Sequence, residues 1–225
     1  PTLGGMWRAA NRARRGFTLV EALVVILIIG VLMGIAFPAM RMVRRETQNT
    51  QCMTNLRQNY GAIEAYVQIN RETLPMCDFI PVVTDNGPQG GLPNLLKAYL
   101  PPTSESWLCP SDENEESLST GTSYLYVPGL LRFTPAVQAE VTSLLMGFAP
   151  GSVTPDVMET TRLDAEGRLM TSFFRANPGS FPLLVDSEDR HERSGSPRNG
   201  VYFDGSVRAA NAPPEEDSEP AGGSG

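Results

Sequence analysis

The stretch RRGFTLVEALVVILIIG, residues 14–30, decides how this chain is read. Glu21 puts one carboxylate near the start of a run otherwise apolar enough to enter a membrane, where a charged group is costly and normally marks a function. From Ala22 to Phe37 sixteen residues carry no charge, and all are apolar apart from Gly30 and Gly34. Counted from Phe17 to Met40, accepting Thr18 and Glu21, the run is 24 residues long. As a helix rising ~1.5 Å per residue, such a run crosses the ~30 Å hydrocarbon layer of a bilayer.

The bland alternative is a Sec signal peptide, with Arg8, Arg12, Arg14 and Arg15 as its basic region. Two features oppose it. A signal peptide has no use for a carboxylate inside its apolar core, and the sequence stays helix-like beyond the apolar run. Between Arg41 and Asn70 there is one glycine, Gly61, and no proline. Leu56, Ile63, Tyr66 and Val67 recur near helical spacing among Arg, Gln, Asn and Glu, giving an amphipathic stripe. One helix from about Phe17 to Ile69 would be ~80 Å long, with Pro38 placed to kink it where the apolar half gives way to the polar half.

RRGFTLVE followed by an apolar helix resembles the type III signal of type IV prepilins and type II secretion pseudopilins. The resemblance implies cleavage between Gly16 and Phe17 by a membrane-embedded prepilin peptidase, which then methylates the new amino terminus. Phe17 becomes the first residue of the mature chain, Glu21 the fifth and Pro38 the twenty-second, where many pilins carry a kink. It further implies that Glu21 serves assembly. An opposite charge within a few ångströms keeps a buried carboxylate ionised, and the Phe17 amine of a neighbouring subunit would supply one. Pairing within a single helix is the alternative, and the sequence does not separate the two. The basic leader favours a cytoplasmic amino terminus, but Arg41, Arg44 and Arg45 put three charges on the other side, so orientation rests on the resemblance.

Composition bounds the remainder. A chain of 225 residues is long enough for one domain with a sizeable core plus appendages. The net charge of -7 gives no reason to expect nucleic-acid binding. Its distribution is uneven, since the first sixteen residues carry +4 and no acid. Residues 213–225, PPEEDSEPAGGSG, hold four acids, no base and almost nothing apolar, and read as a disordered tail. Cys52, Cys77 and Cys109 form no CxxC pair of the kind that suggests a zinc site.

Past the long helix, residues 71–91 read as loop, with prolines and glycines. GLPNLLKAYLPP places Leu92, Leu95, Leu96, Tyr99 and Leu100 on one face of a short helix closed by Pro101. TSYLYV reads as a strand, and residues 134–147 as a helix capped by Thr134 with Pro135 in its first turn. VMETTRL-DAEG-RLMTSFF, from Val157, reads as a hairpin, and FPLLV as a buried strand. GVYF-DG-SVRAA joins two alternating runs through Asp204-Gly205, the strongest short hairpin signal. The expected fold is α+β and pilin-like, with a small antiparallel sheet packed on the long helix. Its expected parts are a leader (1–16), a transmembrane assembly helix (17–40), its amphipathic continuation (41–70), a globular domain (71–212) and the acidic tail (213–225).

The body is also similar to a bacterial prepilin-like family named for a carboxy-terminal His…Asp-Gly motif. TQCMTNLRQ (50–58), LCPSDE (108–113), TSYLYVPG (122–129) and LLVDSEDRH…NGVYFDGSV (183–207) match its layout in order. One departure is that the family's name cites nine residues between His and Asp-Gly, whereas twelve separate His191 from Asp204 here. Cys52 and Cys109 both sit in family-like motifs and Cys77 does not, so a Cys52–Cys109 bridge is favoured over Cys77–Cys109 or none.

Asp186, Asp189, His191 and Asp204 could in principle hold a cation or exchange protons. Asp204-Gly205 is already explained as a turn, and a lone His among acids and arginines is usually a solvated loop residue. A structural role ranks first, a bound calcium ion second and catalysis last. Asp112 opens the acidic stretch SDENEE, where solvated surface ranks above cation binding. No nucleophile elbow, phosphate loop or HExxH is present. The sequence therefore reads as a structural subunit rather than an enzyme, without cofactor or metal, held in the bacterial inner membrane by one span with its carboxy-terminal domain in the periplasm or a filament. The resemblance implies as partners the prepilin peptidase, an inner-membrane platform protein, an assembly ATPase and other pilin-like subunits. A membrane-anchored binding module using the same signal is the rival.

Overall fold

The computed structural model describes residues 18–147, 154–191 and 198–210. The expected leader (1–16), with Gly16 and then Phe17, and the expected tail (213–225) lie outside these. The chain divides into two compact units, Pro1–Val43 and Arg44–Gly225, and one helix assignment, α1 (Leu19–Ile69), contributes to both. The architecture is α+β, a long amino-terminal helix followed by small antiparallel sheets.

In the first unit, α1 is apolar on every side, and none of its residues from Leu19 to Val43 is buried. Pro38 lies inside the helix, which is assigned without a break through it.

In the second unit, α1 buries a single stripe made of Asn49, Cys52, Asn55, Leu56, Asn59, Ala62 and Ile63. The spacing of three and four residues keeps these on one face. Two small sheets follow. The first is a hairpin of β1 (Val82–Thr84) and β2 (Gly87–Gln89), within the stretch expected to be loop throughout. Asp85 and Asn86 make its turn, and Gly87 supplies the positive φ of 92° that follows. The second sheet has four antiparallel strands in the order β3 (Tyr124–Tyr126), β4 (Pro182–Asp186), β5 (Asn199–Tyr202), β6 (Val207–Ala209). Leu56 and Ile63 of α1 share one core with Trp107, Tyr124, Leu184 and Val201, which puts sheet against helix.

Between the sheets lie α2 (Gly91–Leu95), a single 3-10 turn (Glu105–Trp107) and α3 (Glu115–Thr120). Between β3 and β4 come α4 (Val127–Leu131), α5 (Pro135–Leu145) and α6 (Pro155–Ala176). The α2 region departs from the one-face expectation, because Leu92 and Leu96 are buried while Leu95 points outward at 38% exposure. At α5, Thr134 takes the N-cap position but its hydroxyl makes no capping bond, so Pro135 alone marks the start.

The hairpin expected from Val157 is wrong; that segment is the helix α6. Thr154 caps it, accepting from the Val157 amide at 3.5 Å, and Pro155 fits its first turn. The residues DAEG, taken for a turn, lie mid-helix with the second half on the buried face. Glu166 is fully buried, 3.0 Å from Arg162 one turn earlier and 3.5 Å from Arg132. Gly167 is there for closeness rather than turning, since a Cβ would sit 2.7 Å from Thr73 Cγ2 and 3.1 Å from the Leu74 carbonyl. The loop at Thr73 and Leu74 leaves no room for a side chain on the helix at that point.

Candidate functional site

At the start of α1, the Glu21 carboxylate accepts from the Thr18 amide (3.1 Å) and hydroxyl (3.0 Å). The Glu21 amide in turn donates to the Thr18 hydroxyl at 3.2 Å. This is a capping box, in which residues at N-cap and N3 satisfy one another's orphan groups. Its signal in the sequence is the Thr-x-x-Glu of TLVE, which the charge of Glu21 masks. Glu21 thus has a local partner that does not depend on the Phe17 amine.

His191 and Asp204-Gly205 are not brought together. Pro182 pairs with Tyr202 and Val185 with Gly200, so Asp186 and the turn carrying Asp204 lie at opposite ends of the β4–β5 pair. Asp204 is exposed and accepts from the Ser206 amide (2.9 Å) and hydroxyl (2.7 Å), as an Asp-Gly turn requires. Gly205 adopts φ 80°, and a Cβ there would meet the Tyr60 ring at 3.1 Å. Tyr60 itself donates to the Phe203 carbonyl at 2.9 Å, docking the turn on α1.

At the other end His191 is buried, against the expectation of a solvated loop residue. Its Nε2 lies 3.6 Å from Cys109 Sγ and 3.5 Å from Asp186 Oδ2. The Cys109 sulfur is bonded to that of Cys52, with their Cα atoms 5.1 Å apart, while Cys77 is free. In the chain-entropy account a bridge of this span contributes about 4 kcal/mol. None of Cys52, Cys109, Asp186 and His191 is more than 4% exposed.

Three asparagines of α1 position this cluster. Asn55 donates to the Leu108 carbonyl (2.8 Å), Asn59 to the Ser106 carbonyl (3.0 Å), and Asn49 accepts from the Asn199 side chain (2.7 Å). They hold the segment carrying Cys109, and the first residue of β5, against the helix. Read by polarity alone these asparagines belong to the solvated face. Only their three-residue spacing from Cys52 and Leu56 points the other way.

Asp112 is likewise buried rather than solvated. It accepts from Ser117 and from the Asn114 amide (3.0 Å), and lies 2.9 Å from Arg190 Nη2. Arg190 also donates to the Ser123 carbonyl (3.2 Å) and to the hydroxyls of Ser117 (3.2 Å) and Ser187 (2.9 Å). Burial raises the Asp112 carboxyl, but hydrogen bonds from Ser117, Ser123 and Asn114, with the Arg190 charge, outweigh it and hold it low. Burial pushes Asp186 up to about 6, although the Asn199 amide (2.8 Å) and Arg190 pull the other way. Burial, then the Arg190 charge, lowers His191 and leaves a neutral imidazole. Burial and the neighbouring Asp78 push the Cys77 thiol up to about 12.

The model of the prokaryotic N-terminal methylation motif matches residues 11–37. No curated protein and no solved structure matches the chain. The motif and the long apolar helix that begins within it, the one such helix among the described residues, fit a single-pass membrane anchor of prepilin type, and the motif implies processing by a prepilin peptidase.

Proposed function

We propose that this chain is a pilin-like subunit, cut after Gly16, methylated on Phe17, and assembled through α1 into a type II secretion pseudopilus or a type IV pilus-like filament. The observation that carries the reading is the methylation motif at residues 11–37 running directly into a helix whose apolar side chains from Leu19 to Val43 are all exposed. Such a helix needs lipid before assembly and the helices of other subunits after it. The platform protein and assembly ATPase would act from the inner membrane and cytoplasm, and the head would stand in the periplasm or on the filament. The subunit does no chemistry of its own. Supporting this, His191 and Asp186, its best candidates for proton exchange, are buried in the core.

Shearing cells and probing the released material tests the proposal. Filaments that contain this chain support it. A processed chain that stays wholly in the membrane fraction, under conditions where filaments form, favours the anchored binding module instead.

A further inference from the structure

The cluster of Cys52, Cys109, Asp186 and His191 has a second use. Their ligand atoms lie within 4.8 Å of one another, and all four residues are buried. A tetrahedral zinc ion with Zn–S bonds of about 2.3 Å and Zn–N or Zn–O bonds of about 2.0–2.1 Å spaces its ligand atoms roughly 3.3–3.8 Å apart. Two of the needed edges already have that length, Cys109 Sγ to His191 Nε2 at 3.6 Å and His191 Nε2 to Asp186 Oδ2 at 3.5 Å. Asp186 Oδ2, the oxygen at that distance, accepts one hydrogen bond from the Asn199 amide at 2.8 Å and keeps a second lone pair, while Oδ1 is buried with no hydrogen-bond partner, so either oxygen can take a metal without breaking a bond.

We propose that the dithiol form of this chain binds one zinc ion through Cys52, Cys109, His191 and Asp186, at the place the disulfide otherwise closes. Every such bridge is preceded by its two thiols, so the binding form exists before oxidation and needs no reductant. In the binding step two S–H bonds are exchanged for two Zn–S bonds and two protons leave; nothing is oxidised or reduced. The sulfurs part to about 3.8 Å to span one edge of the tetrahedron. Two thiolates, a carboxylate and a neutral imidazole around Zn²⁺ leave one net negative charge; the field of the nearby Arg190 guanidinium, which already lowers Asp186, lessens its cost without cancelling it, because Arg190 is paired with Asp112 at 2.9 Å. Sulfur and imidazole donors select zinc over calcium, which takes oxygen ligands. A bound ion would also withhold both sulfurs from wrong pairing with Cys77.

The test uses the full chain in detergent micelles, carrying Cys77→Ser to remove the third thiol, reduced with a phosphine and freed of metal. Titration with Co²⁺ should give one equivalent with thiolate-to-cobalt charge transfer and tetrahedral ligand-field bands, displaced by one equivalent of Zn²⁺. The oxidised chain should bind none. His191→Ala and Asp186→Asn should each weaken Co²⁺ binding at least tenfold. If the reduced chain loses its near-ultraviolet dichroism, zinc should restore it, because binding and folding are then one equilibrium. Absence of charge transfer, unchanged affinity in His191→Ala, or a reduced chain that zinc neither binds nor refolds would each overturn the site and leave a disulfide alone.

Discussion

Ile35 and Ile63 are the same residue on the same helix, yet Ile35 is 69% exposed and Ile63 1%. In residues 44–69 one stripe of α1 faces Trp107, Leu184 and their neighbours, while the rest meets water. In residues 19–43 large apolar side chains from Leu19 to Val43 stand exposed all the way round. At ~1.5 kcal/mol for each, leaving even ten of them in water costs about as much as the whole 5–15 kcal/mol stability of a typical domain. Water is therefore not the solvent of that half. The difference shows that an apolar periodicity names a face to be covered, whereas an apolar circumference names a medium.

The contrast can be broken most decisively at its amino-terminal edge. Gly16→Leu should abolish processing, because a bulky side chain beside the scissile bond keeps the peptidase from the backbone. Intact-mass measurement of membrane-derived protein would then find only precursor. A mature chain starting well beyond Pro38 in the unaltered protein would mean ordinary signal-peptidase cleavage and would sink the membrane reading of the first half.

Glu21→Gln sharpens the account of that half. Glutamine keeps the capping box but removes the charge. If Glu21 neutralises the Phe17 amine of a neighbour, the variant should be cleaved normally yet give severalfold fewer sheared filaments, as Glu21→Ala should. Wild-type filament yield from Glu21→Gln, with loss in Glu21→Ala, would show that the cap is the whole of its contribution.

Truncating the two isoleucines measures the contrast directly. Ile63→Ala should lower the unfolding free energy of the head by roughly 2–5 kcal/mol, followed by the near-ultraviolet dichroism of buried Trp107. Ile35→Ala should change it by less than about 0.5 kcal/mol. Equal losses would mean that the first half supports the fold of the second. A smaller effect is expected at Gly167→Ala. Alanine is the better helix former by ~1 kcal/mol, but its Cβ would meet Thr73 Cγ2 at 2.7 Å and the Leu74 carbonyl at 3.1 Å. Overpacking should win, for a net loss of about 1–2 kcal/mol by urea titration. A stabilised variant would show that the loop gives way.

How much was legible varied with the range of the interaction. The Asp204-Gly205 hairpin, the buried strand at Leu183–Leu184 and the span of α1 follow from neighbours in sequence, and local patterns report them. Segment 155–176 was misread because DAEG has the composition of a turn. Thr154-Pro155 carries the same start signal as Thr134-Pro135, and it lies just before the stretch whose DAEG resembles a turn. By contrast, the polarity of Asn49, Asn55 and Asn59 hides their burial, with only their helical spacing pointing to it, and nothing local marks Asp112 and Arg190 as an ion pair. Their partners lie far along the chain, at Asn199, Leu108, Ser106 and one another.

The sequence by itself determined where this chain would need lipid, where it carries the methylation motif and which stretches turn, because each depends on composition and spacing within a few turns of backbone. Only the tertiary structure decided that His191 joins Cys52, Cys109 and Asp186 while Asp204 does not. The reason is geometric. Register in the β4–β5 pair puts Asp186, close to His191, at one end of the pair and the turn carrying Asp204 at the other. Two buried amides on α1, Asn55 and Asn59, then hold the Cys109 segment, 57 residues downstream of Cys52, against the helix that carries it.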